Sequence, residues 1–270
     1  MTTDNTYEEL PLNQDIQKRK EYWEIGKGLQ KADNLKTSQY LENIIQDTLQ
    51  NKYDTEDAEK RVLAHYSNVT LDSPEHRTKE ADLAATRITI CLEKGDFKFS
   101  PITLKAIHKA LFRDILPYEW VGEYRNVNLS RKEDVLNGHT MTYGDYSSIA
   151  EYLQYDFEQE KNTQYHTPFT AVDVEKIAKF TSAIWQTHPF REGNTRTVST
   201  FIIKYLRTMG IIVNNTPFQE NAKWFRDALV CSNYTNIQKG IHPDISHLNN
   251  FFENVILGAT HDLRTPLKLL

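Results

Sequence analysis

HPFREGNTRT, residues 188–197, lies between two stretches of helical periodicity. Ahead of it, Val174, Ile177, Thr181, Ile184 and Trp185 fall on one face of a helix predicted over about 171–186, with Val172 near its start. Behind it, Val198, Ile202, Tyr205 and Met209 mark a second helix over about 195–209, and Gly210 is placed to cap it. His188 ends the first helix, where Pro189 blocks continuation. Gly193, Asn194 and Thr195 form a tight turn into the second.

The residue types in this turn point to one chemistry. An imidazole that titrates near neutral pH is suited to take a proton as a general base. The first N–H groups of a helix have no intrahelical acceptor and carry partial positive charge, so they suit a phosphate. Arg196 adds a fork of donors for phosphate oxygens. Glu192 supplies one carboxylate, and Mg²⁺ is usually held by one or two carboxylates together with phosphate oxygens. Base, anion cradle, cation and metal ligand fall within nine residues, an assembly suited to attack by a hydroxyl on a nucleotide phosphate.

Outward from this string the chain reads as mostly helical. Three short helices are predicted between about Lys20 and Tyr66, with Asn34 and Thr37-Ser38 as turn and cap residues; residues 1–19 read as a loose polar start. Residues 67–80 form a polar linker or surface loop. Helices follow over 81–92 and 101–111, the latter with Leu104, Ile107 and Leu111 on one face. GEYRNVNL (122–129) reads as extended, and GHTMTYGDY (138–146) as a hairpin. Two further helices are expected over 218–233 and 245–257. His242 and His247 lack the i, i+4 spacing of a helical zinc pair, and neither dinucleotide nor P-loop glycine motifs occur.

Composition agrees with this class. The 270 residues hold only 10 Gly and 9 Pro, few for an all-β protein. Two cysteines, Cys91 and Cys231, are too few for a disulfide framework and favour a reducing, cytoplasmic setting. The opening MTTDNTYEEL has neither the basic nor the apolar region of a signal peptide. No run approaches the ~18 apolar residues of a membrane span. A net charge of −5 weighs against a nucleic-acid coat.

The string at 188–197 resembles the signature of the Fic family, H-x-F-x-[D/E]-G-N-G-R-x-x-R, through His188, Phe190, Glu192, Gly193, Asn194 and Arg196. GEYRNVN (122–128) resembles the strand ahead of the family's flap, and GHTMTYGDY stands at the flap. FFENVILG near the end resembles the closing helix of one branch, so the likeness spans about residues 80–258. It implies an all-α Fic core with a short β-hairpin flap, transferring AMP from Mg·ATP to a hydroxyl of a target protein. In that role His188 takes the hydroxyl proton and Glu192 holds Mg²⁺. Gly193, Asn194 and Thr195 cradle phosphate oxygens, and Arg196 steadies the leaving pyrophosphate. Met141, Thr142 and Tyr143 dock the target segment by strand addition, and Asn233 and Tyr234 contribute to the base and ribose pocket.

Two positions depart from the signature: Thr195 replaces its second glycine and Ser199 its second arginine, the residue that contacts the γ-phosphate in the family. A different nucleotide or phosphate payload, or a non-catalytic binding module, is therefore the rival expectation. WEIGKGLQKADNLKTSQYL (23–41) resembles the small antitoxin module found with Fic proteins. The module's inhibitory glutamate falls on Asp33, followed by Asn34, and its serine position falls on Leu29. With Ser199 in place of arginine, the partner of Asp33 is expected to be missing. This divides the chain into an inhibitory region, 1–66, and a Fic domain, 67–270. A homodimer and export as an effector are both compatible with the sequence.

Overall fold

The computed structural model describes residues 12–267. Eleven α-helices are present among them: α1 (Leu12–Gln30), α2 (Gln39–Leu49), α3 (Thr55–His65), α4 (His76–Glu93), α5 (Pro101–Phe112), α6 (Ile149–Lys161), α7 (Ala171–Thr187), α8 (Asn194–Thr208), α9 (Thr216–Glu220), α10 (Ala222–Cys231) and α11 (Ser246–Ile256). Two three-residue strands, β1 (Ser130–Lys132) and β2 (Thr140–Thr142), pair antiparallel with Arg131 opposite Met141. The all-α expectation with a β-hairpin flap is met. No helix among the described residues is long and apolar enough to cross a membrane.

Local sequence chemistry sets the helix starts. Ser38 accepts a hydrogen bond from Leu41 N, and Ser100 one from Thr103 N, with Pro101 in the first turn. Thr170 and Asp173 form a reciprocal capping box on α7. The region 218–233 breaks at Asn221 into α9 and α10.

The expected loose start differs from the structure. Residues 12–19 already belong to α1, while residues 1–11, on which the signal-peptide reading falls, lie outside the described residues. Helix α1 packs against α4 and α9. Its Trp23, Ile25 and Leu29 are fully buried in a single hydrophobic cluster that continues to Leu263. Two glycines permit this approach. A Cβ on Gly26 would stand 2.5 Å from the Ala85 carbonyl oxygen, and one on Gly28 would stand 2.3 Å from that of Gln219. Helical glycine costs about 1 kcal/mol relative to alanine, and here it brings α1 against two backbones at once.

After α1 a 3-10 turn, Lys31–Asp33, ends on Asn34 in the left-handed region at φ 56°. This turn touches α10 and delivers Asp33 toward the start of α8.

Candidate active site at the start of helix α8

The loop between α7 and α8 is held from several sides. His188 caps α7 at φ 47°, and its N–H donates to Trp185 O at 3.0 Å. Arg125 is buried beneath it. Its Nε donates to His188 O at 2.7 Å, Nη1 to Val127 O at 2.6 Å and Nη2 to Gly144 O and Thr187 O. A cation on the last carbonyls of α7 is also favoured by the helix dipole. From the other side His108 accepts from Gly122 N at Nδ1, so its Nε2 donates to Glu192 O at 3.1 Å. Its ring stacks on Phe190 at 3.9 Å. Burial pushes the His108 imidazole down to about 3, which keeps it a neutral strut.

Asn194 completes the loop. Its Oδ1 accepts from Phe190 N at 2.9 Å and its Nδ2 donates to Phe190 O at 2.8 Å. The side chain therefore clamps the turn, leaving the backbone amides at the α8 start to meet an anion. Gly193 provides no side-chain cap. Thr195 Oγ1 accepts from Trp185 Nε1 at 3.0 Å, which ties α8 to α7.

Gly193 sits at φ 72°, and a Cβ there would fall 2.3 Å from the ring of Phe112, itself fully buried. The left-handed conformation costs an L-residue about 1–2 kcal/mol, and overpacking a core costs about 1–3 kcal/mol. Gly193→Ala is therefore expected to destabilise the chain by about 3 kcal/mol, read as a lower urea midpoint at unchanged slope.

The loop opens on a cleft of about 180 Å³ whose lining includes His188, Glu192, Gly193, Asn194, Thr195 and Asp33. The His188 ring stacks on Tyr143 at 3.6 Å and meets Trp185 edge-on at 5.4 Å. Its Nδ1 lies 3.3 Å from Trp185 O. Donation there leaves the Nε2 lone pair as the proton acceptor. The side chain is only partly exposed, and burial pushes its pKa down to about 3, so the ring is neutral at physiological pH. Glu192 faces the same space. Burial first, and then the charge of Asp33, push its carboxyl above the usual value.

Arg196 departs from expectation. It is fully buried beneath the cleft rather than lining it. Its Nη2 donates to Glu80 at 2.7 Å, its Nη1 to Gln30 at 3.1 Å, and its guanidinium stands 4.8 Å over the Phe112 ring. Asp33 Oδ2 lies 2.8 Å from Nε. The expectation of a missing partner for Asp33 is thus corrected: with Ser199 in place of the second arginine, Asp33 meets the first one. This contact is short but poorly directed, because Arg196 Nε and Asp33 Oδ2 both lack a hydrogen bond. Ser199 Oγ is likewise buried without a partner.

The flap differs in detail. GHTMTYGDY supplies only β2, whose partner lies upstream at Ser130–Lys132, and the 122–129 stretch forms no strand. Met141 is buried in the core and Tyr143 is committed to the His188 stack, so neither side chain is free for docking. The far side of β2 is taken by α7, through Gln186 Nε2 to Thr142 O and Gly144 N to Gln186 O, both 3.0 Å. Among the described residues β1 keeps an open edge. Asn233 and Tyr234 do not line the cleft. Asn233 Nδ2 donates to Ser182 Oγ and Leu229 O, and Tyr234 is buried beside Asn236.

Sequence reasoning missed Arg125, His108, Glu80, Arg131 and Arg226. Arg125 lies inside GEYRNVN, where a lone arginine among β-forming residues is the available signal. The others have no local pattern, because each acts across the fold.

Comparison with known proteins agrees with this fold. Residues 98–206 match the Fic/DOC family model. The chain is 30% identical over 114 residues to protein adenylyltransferase VbhT of Bartonella schoenbuchensis, a match that takes in 42% of this chain and 22% of that protein. Among solved structures, the N-terminal Fic domain of a Bartonella effector protein from Bartonella sp. AR 15-3 superposes with a TM-score of 0.54. It is 19% identical and covers 70% of this chain and 85% of its own. A Fic family protein from Desulfovibrio desulfuricans G20 gives 0.55 at 13% identity, over 92% of this chain and 68% of its own. BepC of Bartonella tribocorum, solved with bound AMPPNP, gives 0.51 at 18% identity, over 69% and 88%. Residues 98–206 of the chain are thus similar to the Fic/DOC family domain.

Proposed function

We propose that this protein transfers the AMP moiety of Mg·ATP to a hydroxyl side chain of a target protein, and that Asp33 restrains it. The observation that carries the reading is the convergence on one cleft of a neutral His188 and the free amides at the start of α8. The name of the VbhT relative and the triphosphate analogue bound by BepC support the same chemistry.

His188 Nε2 takes the proton of the target hydroxyl, whose oxygen attacks the α-phosphorus, and pyrophosphate leaves. The Gly193, Asn194 and Thr195 amides stabilise charge on the phosphate oxygens. Among the described residues no three acidic, histidine or cysteine groups gather as a metal site. The single Glu192 carboxylate fits Mg²⁺, which takes most of its ligands from phosphate and water. When bound, the ion would neutralise phosphate charge. The target segment aligns along the open edge of β1.

The cleft is small, about 180 Å³ against the ~300–1,000 Å³ usual for a ligand of nucleotide size. Asp33 fills part of it and stands beside the Arg196 Nε edge that a phosphate oxygen would approach. An unsatisfied buried donor costs about 1–3 kcal/mol, so a better-aligned phosphate oxygen can displace this carboxylate.

The test is incubation of the full chain, and of an Asp33→Ala variant, with Mg²⁺ and ATP labelled at the α-phosphate, followed by intact-mass analysis. Label and an AMP mass on protein are expected. Transfer only from γ-labelled ATP would assign phosphate as the payload, and no transfer from either, with folded protein and a panel of candidate targets, would reject the enzyme reading.

A further inference from the structure

The motif arginine is not the free cation of the cleft. Both Nη atoms of Arg196 are hydrogen-bonded to Gln30 and Glu80, and Asp33 stands beside its Nε. Ser199 offers only a buried hydroxyl. The cleft nonetheless contains spare guanidinium donors on two other elements.

Arg226 of α10 lines the same cleft as the α8 start. Among the described residues it makes one hydrogen bond, Nη2 to Glu133 Oε1 at 2.7 Å. A guanidinium has five N–H donors, so four are without a protein acceptor. Arg131 of β1 also lines the cleft and reaches the same Glu133 oxygen only at 3.8 Å, as an ion pair without a hydrogen bond. Two cations therefore share the one buried Glu133 carboxylate, and most of their N–H donors are left for a ligand of the cleft. Against burial, which lowers it, Glu133 and then Asp33 raise the Arg226 pKa, so a carboxylate on the cleft side already acts on this cation.

We propose that Arg226, assisted by Arg131, holds the terminal phosphates of the nucleotide, in the role the family signature gives to the position occupied here by Ser199. This rests on the nucleotide reading above. The two sets of donors are then complementary in function: amides of α8 for the phosphate under attack, guanidinium forks of α10 and β1 for the leaving pyrophosphate. Because both arginines also hold Glu133, the phosphate is bound by the groups that anchor the flap.

Calorimetric titration of ATP and of AMP, both with Mg²⁺, into Asp33→Ala protein provides the test. Arg226→Gln is made together with Glu133→Gln, so that no buried carboxylate loses its partner. Losing charge-assisted bonds is expected to weaken ATP about tenfold or more relative to Glu133→Gln alone, with AMP affinity changed less than about twofold. Arg131→Gln, on the exposed flap, is expected to weaken ATP by about threefold and AMP not at all. Unchanged ATP affinity in the paired variant, or equal losses for ATP and AMP, would overturn the proposal. If the paired variant does not fold, Arg131→Gln decides: a loss confined to ATP supports the assignment and no loss overturns it. No ATP binding by the Asp33→Ala parent would instead remove the nucleotide reading itself, and this assignment with it.

Discussion

His188→Ala is expected to slow transfer of the labelled nucleotide by about 10²–10⁴-fold at saturating ATP, the usual contribution of a positioned general base. ATP affinity should stay near that of the parent, because the amides, Arg226 and Arg131 are untouched. The position carries a conformational demand of its own. His188 is at φ 47°, which alanine adopts at about 1–2 kcal/mol and asparagine more readily. His188→Asn therefore serves as the paired control, with the backbone kept and the base removed. Transfer within twofold of the parent by either folded variant would show that the imidazole takes no proton.

The electrostatics of His188 add a pH signature. Burial pushes the ring down to about 3, so it is already neutral through the range where a free histidine titrates. In the nucleotide-free enzyme it contributes no inflection to kcat/KM between pH 5 and 8, and an acid limb near 6.5 would contradict the buried placement. Stability moves with the same protons. His108 and His188 are neutral when folded and return to about 6.5 when unfolded, so the unfolded chain binds more protons between about 3 and 6.5. Their contribution is complete above about pH 6.5 and is lost as the pH falls toward 3, a trend measurable by denaturant titration.

Asp33→Ala is expected to raise both ATP affinity and transfer by about tenfold, the low end of what a charge-assisted contact is worth. The low end applies because the 2.8 Å approach to Arg196 Nε lacks hydrogen-bond alignment. The substitution should be tolerated by the fold. Arg196 keeps Glu80 at 2.7 Å and Gln30 at 3.1 Å, so no buried charge is orphaned. A thermal midpoint close to the parent's, with faster labelling, is the expected pair of results. Labelling at the parental rate by folded Asp33→Ala would reject Asp33 as the restraint. Deleting the N-terminal helices is a poor substitute for this change, because Trp23, Ile25 and Leu29 are part of the common core.

How far the sequence carries is visible at particular residues. The two helices flanking 188–197 were legible because one face of each is regularly apolar, and the turn between them because Pro, Gly and Asn have few other uses there. Helix α6 has no counterpart in the sequence reading, although Ile149, Leu153 and Phe157 recur every four residues on its buried side. Most of its remaining positions are charged, glutamine or tyrosine and diluted that signal. The hairpin was expected within 138–146, whereas β2 pairs with Ser130–Lys132 across an intervening 3-10 turn at Asp134–Leu136. Strands of three residues carry too little alternation to fix a partner. Arg196 was recognisable as a motif residue but not as a buried one. Its surroundings come from Gln30, Asp33 and Glu80, more than 110 positions away in the chain. Arg226 was hidden because it stands outside the motif and nothing local marks it, although it lines the same cleft.

Packing α1 into the shared core, with Gly28 against the backbone of Gln219, settles how the Asp33 carboxylate reaches the cleft. It arrives within the same molecule, at a local concentration fixed by the fold rather than by expression level. Dilution cannot strip it away and an excess of free enzyme cannot outrun it. The few backbone torsions between Gln30 and Asn34 set its position, so a ligand or modification that unwinds that single turn is expected to withdraw Asp33 while the rest of α1 stays seated.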